Sequence, residues 1–359
     1  MKNKLLISSA LASGIMFSGA ALAQTTVSGS LDLHYKAISF DGTGTGSRNG
    51  IGRESQLNIQ NKGKLTNGWD YAAGFSLEFD ASSAPTTAGT NSNAASNESN
   101  SVSNENVYID LIIGSTTLTA GIDHVQNSTF HATPFVRNVL DDVAAGPAGM
   151  SATDQIGAKT KEAMYYGVVQ SIPGTGINVS AIIAPQGGFL GGTDQTAGTA
   201  VAERNSSYEI GFVGTNSFNV KGLTLSAFKN VEKASNSAVL SDVEGTSYGI
   251  GYNFGQFAAG FDIHKTNRSS TNTTTEVNMK NTMIGVTYAA TKDLTIGLVQ
   301  SSNDIDATTE KEKIRSLQVG YNLGPVVIAA DYSMFDGIGG SNAATAEGKQ
   351  LGVRLSTRF

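Results

Sequence analysis

Asp262 and His264 stand two apart in the run Phe261-Asp262-Ile263-His264. On a strand that spacing puts both side chains on one face, where a carboxylate could orient an imidazole to take a proton from water. This pair is the sequence's best offer of hydrolytic chemistry, and it is thin. The chain holds four histidines in all and no third group converges on the pair, so a solvated pair on a polar wall accounts for it better. Gly245-Thr246-Ser247-Tyr248-Gly249 matches the pattern of a nucleophile elbow. That elbow is a sharp turn between strand and helix, whereas this match lies inside one continuous alternating run. Asn303, Asp304, Asp306 and Glu310 offer oxygen ligands at roughly the spacing of a calcium loop but lack its fixed glycine, and a solvated acidic loop is the default reading. Gly249-Ile250-Gly251-Tyr252-Asn253-Phe254-Gly255 misses the dinucleotide-binding spacing. The sequence therefore assigns no catalytic, cofactor-binding or metal-binding residue, and the expected activity is not enzymatic.

The elements that carry these residues read as strands. The chain ends on Gln350-Leu351-Gly352-Val353-Arg354-Leu355-Ser356-Thr357-Arg358-Phe359, with Leu351, Val353, Leu355 and Phe359 on one face and Gln350, Arg354, Ser356 and Arg358 on the other. The same period of two places Val27, Leu31, Leu33 and Tyr35 opposite Asp32, His34 and Lys36, and Phe75, Leu77 and Phe79 opposite Ser76, Glu78 and Asp80. Tyr248, Ile250, Tyr252 and Phe254 likewise oppose Ser247, Gly249, Gly251 and Asn253. Such strands fit a wall with lipid on one side and water on the other. A soluble sandwich also alternates, so alternation does not decide between them.

Other features favour a membrane barrel. Lys2 and Lys4 precede an apolar run from Leu5 to Leu22, and Ala21-Leu22-Ala23 before Gln24 has the form of a signal-peptidase site, so residues 1–23 read as a cleaved leader. Subtracting 23 from 359 leaves 336 residues, with 42 glycines, 6 prolines and no cysteine over the whole chain. The mature part has no run of about 20 apolar residues, which excludes a helical span. A net charge of -6 without a basic stripe gives no reason to expect nucleic acid. Short turn signals at 63–68, 114–117, 173–176, 216–222, 255–256, 291–293 and 324–325 alternate with polar stretches near 40–50, 81–104, 124–160, 185–204, 232–245, 266–277, 303–312 and 336–347. Eight long connections and seven short ones call for about sixteen antiparallel strands, an even number. Trp69, Tyr71, Tyr252, Phe254, Phe257, Tyr288, Tyr321 and Phe359 cluster beside the short turns or at the chain end, as an aromatic girdle at a lipid boundary would.

On these residues the chain resembles the general, non-specific trimeric porins of the Gram-negative outer membrane. The leader, the opening strand Thr26-Val27-Ser28-Gly29-Ser30-Leu31-Asp32 and the terminal Phe359 contribute to the likeness. The most specific part is the hairpin from Ser55 to Glu78, with Leu57, Lys62-Gly63, Leu65, Asn67-Gly68 and Phe75-Ser76-Leu77-Glu78. The resemblance covers the mature chain, 24–359. It implies a sixteen-stranded all-β transmembrane barrel, a third loop at 124–160 folded into the pore, and a homotrimer. It also implies lipid and lipopolysaccharide surroundings, and delivery by the barrel-assembly machinery through the last strand. The constriction departs from the family pattern. Gln56 stands where many relatives carry arginine, Gly121-Ile122 where they carry a Gly-Arg pair, and the third loop lacks the Pro-Glu-Phe-Gly-Gly motif.

The function expected is a water-filled outer-membrane channel for passive diffusion of small hydrophilic solutes and ions. Its candidate pore residues are Lys36, Glu54, Gln56, Glu78, Asp110, Asp123, Glu209, Asp262, His264, Asp331 and Arg354 on the wall, with Asp141 and Asp142 on the third loop, a pair that a solvated surface position explains equally well. Acids outnumber bases among them, and carboxylates lining a pore favour cations, so a weak cation preference is expected. A substrate-selective channel is the variant within this class. A plugged barrel serving as surface adhesin, with the tract after Asp80 as its recognition loop, or as a surface enzyme using Asp262 and His264, is the rival from another class.

Overall fold

The computed structural model describes residues 24–41, 48–82, 102–122, 124–125, 164–185, 204–234, 242–269, 276–306, 308–337 and 346–359. The leader at 1–23, Asp123, Asp141, Asp142 and all of 124–160 beyond Val125 lie outside them. Sixteen strands follow one another: β1 Gln24–Phe40, β2 Arg48–Lys64, β3 Asp70–Ser82, β4 Val102–Ile113, β5 Thr116–Gly121, β6 Tyr165–Ile172, β7 Ile177–Ala184 and β8 Arg204–Thr215. The second half continues with β9 Leu223–Ala234, β10 Val243–Phe254, β11 Phe257–Ser269, β12 Glu276–Ala289, β13 Leu294–Ile305, β14 Glu312–Asn322, β15 Val326–Asp336 and β16 Gly348–Arg358.

Each strand pairs antiparallel with its neighbours in sequence, and β1 pairs with β16, so the sheet closes on itself. The closing seam runs from Ser30 opposite Arg358 to Phe40 opposite Gly348. It extends past the last strand residue: Gly29 N donates to Phe359 O at 2.8 Å, and Phe359 N donates to Gly29 O at 3.0 Å. A Cβ added to Gly29 would lie 2.5 Å from the Phe359 ring. The terminal aromatic therefore lies over the glycine and fills a space that any larger residue would occupy.

Connections alternate as the turn residues require. The β10–β11 hairpin turns on Gly255-Gln256, with Gly255 at φ +68°, the conformation that a two-residue hairpin demands of its first residue. Seven such short links sit at one end of the barrel, and the long polar stretches leave from the other. One irregularity shapes the wall. Between Gly74 and Ser76 the register with β4 shifts by a residue, and Asn106 adopts φ +50°. This bulge sets Tyr108 opposite Gly74, where the missing side chain leaves room for the phenol ring.

Alternation sorts the two faces. Leu31, Leu33 and Tyr35 on β1 are exposed while Asp32, His34 and Lys36 between them are buried. Outward residues such as Leu298 and Ile51 are 62% and 63% exposed, whereas the inward Asp262 is fully buried. Apolar outside and polar inside is the reverse of a water-soluble fold. Among the described residues the inner face also carries three apolar clusters: Ile38, Ile314, Phe335 and Ala346; Val125, Tyr165, Ile182 and Ala184; and the pair Met283 and Val299.

At the short-turn end, Tyr252, Phe254, Phe257 and Tyr288 stack in sequence across β10, β11 and β12, with centroid separations of 5.9, 5.7 and 4.9 Å. Trp69, Tyr321 and Phe359 are exposed on the outer face, and Tyr71 is half-buried with its hydroxyl donating to Asn61 Oδ1 at 2.6 Å.

Replacing Phe359 by Ala should lower unfolding stability in detergent by about 1 kcal/mol, the upper range for one aromatic cross-strand contact. Gly29→Val should do at least as much damage, by displacing the ring. Band shifts on unheated gels, read across a urea series, check both; unchanged midpoints would show that the seam does not depend on this contact.

Candidate functional site

The chemistry of a closed sheet lies on its inner wall, where even-numbered residues of β1 and β16 meet at the seam. Asp32 accepts from Arg354 Nη2 through one carboxylate oxygen and from the Ser356 hydroxyl through the other, and Arg354 Nε also donates to Ser356 Oγ at 2.9 Å. The side chains of Arg354 and Asp32 are 15% and 8% exposed, so this ion pair is largely out of water. His34 and Lys36 follow Asp32 up the same face, both buried. Register places Lys36, Gly352 and Asp331 in one row across three strands, with the glycine leaving the space between the charges open. Asp331 Oδ2 accepts from Ser333 Oγ at 2.8 Å, which leaves Ser333 Oγ to accept from the Ser316 hydroxyl 3.0 Å away.

Elsewhere on the wall, amides hold carboxylates across neighbouring strands. Asn230 donates to Glu209 at 3.3 Å and Asn303 to Glu312 at 2.9 Å. An amide donor fixes a carboxylate's direction without adding a positive charge. Asp262 and His264 are both buried on the inner face of β11, with Ser247 and Asn281 flanking His264 on β10 and β12. Gln56 faces inward on β2, taking a 3.2 Å hydrogen bond from Asn58 and donating weakly to Ser76 at 3.5 Å. Ser76 also accepts from Asn106 at 2.9 Å, and Glu78 is buried two residues along β3. Glu54 occupies the register position opposite Asp32.

A third cluster lies where β5 ends. The His124 ring stacks on Tyr108 at 3.6 Å with an interplanar angle of 3°, and its Nε2 donates to Asp110 Oδ2 at 3.0 Å. Gln60 donates to the Tyr108 hydroxyl. Val125 N donates to the Tyr165 hydroxyl at 2.9 Å, and the Val125 side chain joins the inward apolar cluster of Tyr165, Ile182 and Ala184. The chain therefore turns toward the barrel interior as it enters the long connection.

The sequence-derived wall candidates that the structure describes thus share the inner face without converging on one point. Lys36, Asp331 and Arg354 gather at the seam, while Asp262 and His264 sit five strands away. Sequence reading missed the bonding of Asp32, the burial of His34, and the Tyr108–His124–Asp110 cluster. Parity alone signals Asp32 and His34, but nothing local announces their partners. The acidic stretch after Asn303 behaves differently from a calcium loop: β13 runs on to Ile305, so Asn303 points inward and is buried while Asp304 is exposed and pairs with Lys311 at 2.6 Å. The Gly245–Gly249 pattern lies wholly within β10. Among the described residues no group of three or more metal-ligating side chains comes together.

This architecture has relatives. A family model for Gram-negative porins matches residues 8–338. The chain belongs to the Gram-negative porin family. Among solved structures it resembles an anion-selective porin from Comamonas acidovorans, with a TM-score of 0.66 at 15% identity over 94% of this chain and 100% of that one. The outer-membrane channel DcaP of Acinetobacter baumannii gives 0.65 at 10% identity, over 94% and 97%. A triple mutant of Rhodopseudomonas blastica porin gives 0.54 at 14% identity, over 94% and 100%. No curated protein matches the chain in sequence. At such identities the structural likeness speaks for the fold, and with the family it identifies an outer-membrane channel through which solutes diffuse.

Removing one partner of the seam ion pair leaves a charge uncompensated where water is scarce. Arg354→Ala should therefore destabilise the barrel by about 3 kcal/mol. The double substitution Asp32→Asn with Arg354→Gln should recover most of that loss. Urea unfolding followed by intrinsic fluorescence measures both; a single variant as stable as the parent would show the pair to be solvated.

Proposed function

We propose that this porin is a general diffusion channel with a weak preference for cations, made as a precursor and assembled as a homotrimer. The charge of the inner wall supports the preference. Glu78, Asp110, Glu209, Glu232, Asp262, Glu312 and Asp331 face inward along the wall, whereas the cations Lys36 and Arg354 sit together at the seam, where Asp32 already binds Arg354. Among the described residues, the inward acids of β3, β4, β8, β9, β11, β14 and β15 outnumber the inward cations Lys36 and Arg354, which supports a negative interior that concentrates cations and repels anions.

The inward turn at His124 and Val125 supports the reading of 124–160 as a constricting loop, with Asp141 and Asp142 adding to the negative field. The form of Ala21-Leu22-Ala23 supports cleavage before Gln24. The terminal aromatic of β16 supports recognition by the barrel-assembly machinery, and the broad apolar outer face supports both lipid contact and association of three copies. The Comamonas acidovorans porin is named as anion-selective, and at 15% identity its wall charges do not transfer to this chain.

In a planar bilayer under a salt gradient, the reversal potential should have the sign of cation selectivity. Glu209→Gln combined with Asp262→Asn should move it toward zero. Clear anion preference in the parent protein would overturn the assignment. Conductance steps arriving in threes, and a mature N-terminus at Gln24 on sequencing, test the assembly and the processing.

A further inference from the structure

Gln56, Asn58 and Gln60 follow one another on the inward face of β2, about 6.5 Å from one to the next, and all three are half-buried, so part of each is open to the interior. Ser30 and Ser28 stand opposite Gln56 and Asn58 on β1, and Ser76 stands opposite Asn58 on β3. These groups are chained by hydrogen bonds. Asn58 donates to Gln56 at 3.2 Å, Asn106 donates to Ser76 at 2.9 Å, and Gln60 donates to the Tyr108 hydroxyl, whose ring lies over Gly74. None of them is charged at neutral pH. Charged groups stand around the rim: Asp32, bound to Arg354 and Ser356; Glu78, buried opposite Gln56; Asp110, bound to His124; and Lys62, exposed at the short-turn end. Glu54 holds the next inward register position on β2.

We propose that this neutral patch of β1–β4 binds uncharged polyhydroxylated solutes, the saccharide class, as they cross the channel. The inference rests on the reading of the chain as an open diffusion channel and names a solute that one sector of its wall suits. A sugar hydroxyl donates and accepts at once, so it is held best where both kinds of partner stand close together. A carboxamide supplies two N–H donors and an accepting oxygen, and a serine hydroxyl plays both roles, whereas a carboxylate only accepts and a guanidinium only donates. The contacts within the patch use part of that capacity: Asn58 donates once to Gln56, and Gln60 once to Tyr108. Access separates this sector from other amides of the wall. Asn230, Asn281 and Asn303 are at most 3% exposed, and each donates to a neighbour on the next strand. The β2 amides, by contrast, are open to a solute in the interior.

The test records the intact oligomer in a planar bilayer. The probes are raffinose, a neutral trisaccharide, and a polyethylene glycol of equal hydrodynamic radius, whose chain oxygens only accept. In the parent, raffinose should lower the conductance along a saturating curve, while the glycol should lower it in proportion to its concentration, as an inert solute does. Q56A/N58A should raise the half-blocking raffinose concentration at least about tenfold, as the loss of two hydrogen-bonding groups implies. N58A alone should raise it about threefold, and N58Q, which keeps the carboxamide, should behave as the parent does. Asn178→Ala, which removes an exposed inward amide on β7, should leave the raffinose curve unchanged. A raffinose effect that never saturates, an equal saturating effect of the glycol, or an unchanged curve in Q56A/N58A overturns the proposal. Should Q56A/N58A fail to form the oligomer, equal half-blocking concentrations in N58A and N58Q overturn it instead. Absent current in parent and variants alike would overturn the channel reading, so the two failures are distinct.

Discussion

The structure depends on one constraint: inside a hydrocarbon layer no backbone N–H or C=O can be left to water, so the sheet must have no edge. Pairing between β1 and β16 meets that demand, and everything else follows from the closure. Once the first strand lies beside the last, each residue's parity decides whether it meets lipid or the interior, and a one-residue slip anywhere would invert the wall. The seam is accordingly reinforced on both faces. Outside, Phe359 lies over Gly29; inside, Arg354 and Ser356 bind Asp32. These contacts join residues more than 300 positions apart, so they form only when the barrel has closed and contribute nothing to an open sheet.

Closure also sets the electrostatics of the interior. Side chains that would wander in solution are held by neighbours: Glu209 by Asn230 and Glu312 by Asn303 from the next strand, and Asp331 by Ser333 two residues along its own. A carboxylate fixed by amide or hydroxyl donors keeps its direction, so the geometry a passing ion meets is built into the wall. The seam behaves differently, because Asp32 and Arg354 largely cancel there. The wall thus holds carboxylates with amide or hydroxyl donors as well as one paired with a cation, a distinction that a count of acids and bases does not make.

The fold was legible because its two determinants are local. Period-two alternation appears within any ten residues, and turn residues such as Gly255-Gln256 or Gly324-Pro325 mark the ends of strands without help from the rest of the chain. Strand number, connection pattern and the parity of Lys36, Asp262, His264 and Arg354 followed from these signals. What was not legible depends on register between strands. Nothing near Asp32 predicts Arg354, and nothing near Tyr108 predicts that His124 will stack on it. The bulge at Asn106 is of the same kind, since a residue with positive φ on β4 is visible only against its β3 partners. The acidic stretch differs in a related way: it reads as a solvated loop, but β13 continues to Ile305 and sends Asn303 and Asp304 to opposite faces.

Alternation has a further consequence at the two ends of the strands. At the short-turn end the outward positions are rings, stacked from Tyr252 to Tyr288. At the long-loop end of β9–β12 the same outward parity carries Lys229, Lys265 and Lys280. Rings are not confined to the short-turn end, since Tyr166 and Tyr208 are also exposed toward the long connections, so at that boundary amphipathic rings and long cationic side chains share the outward positions, as both do where an apolar band meets water.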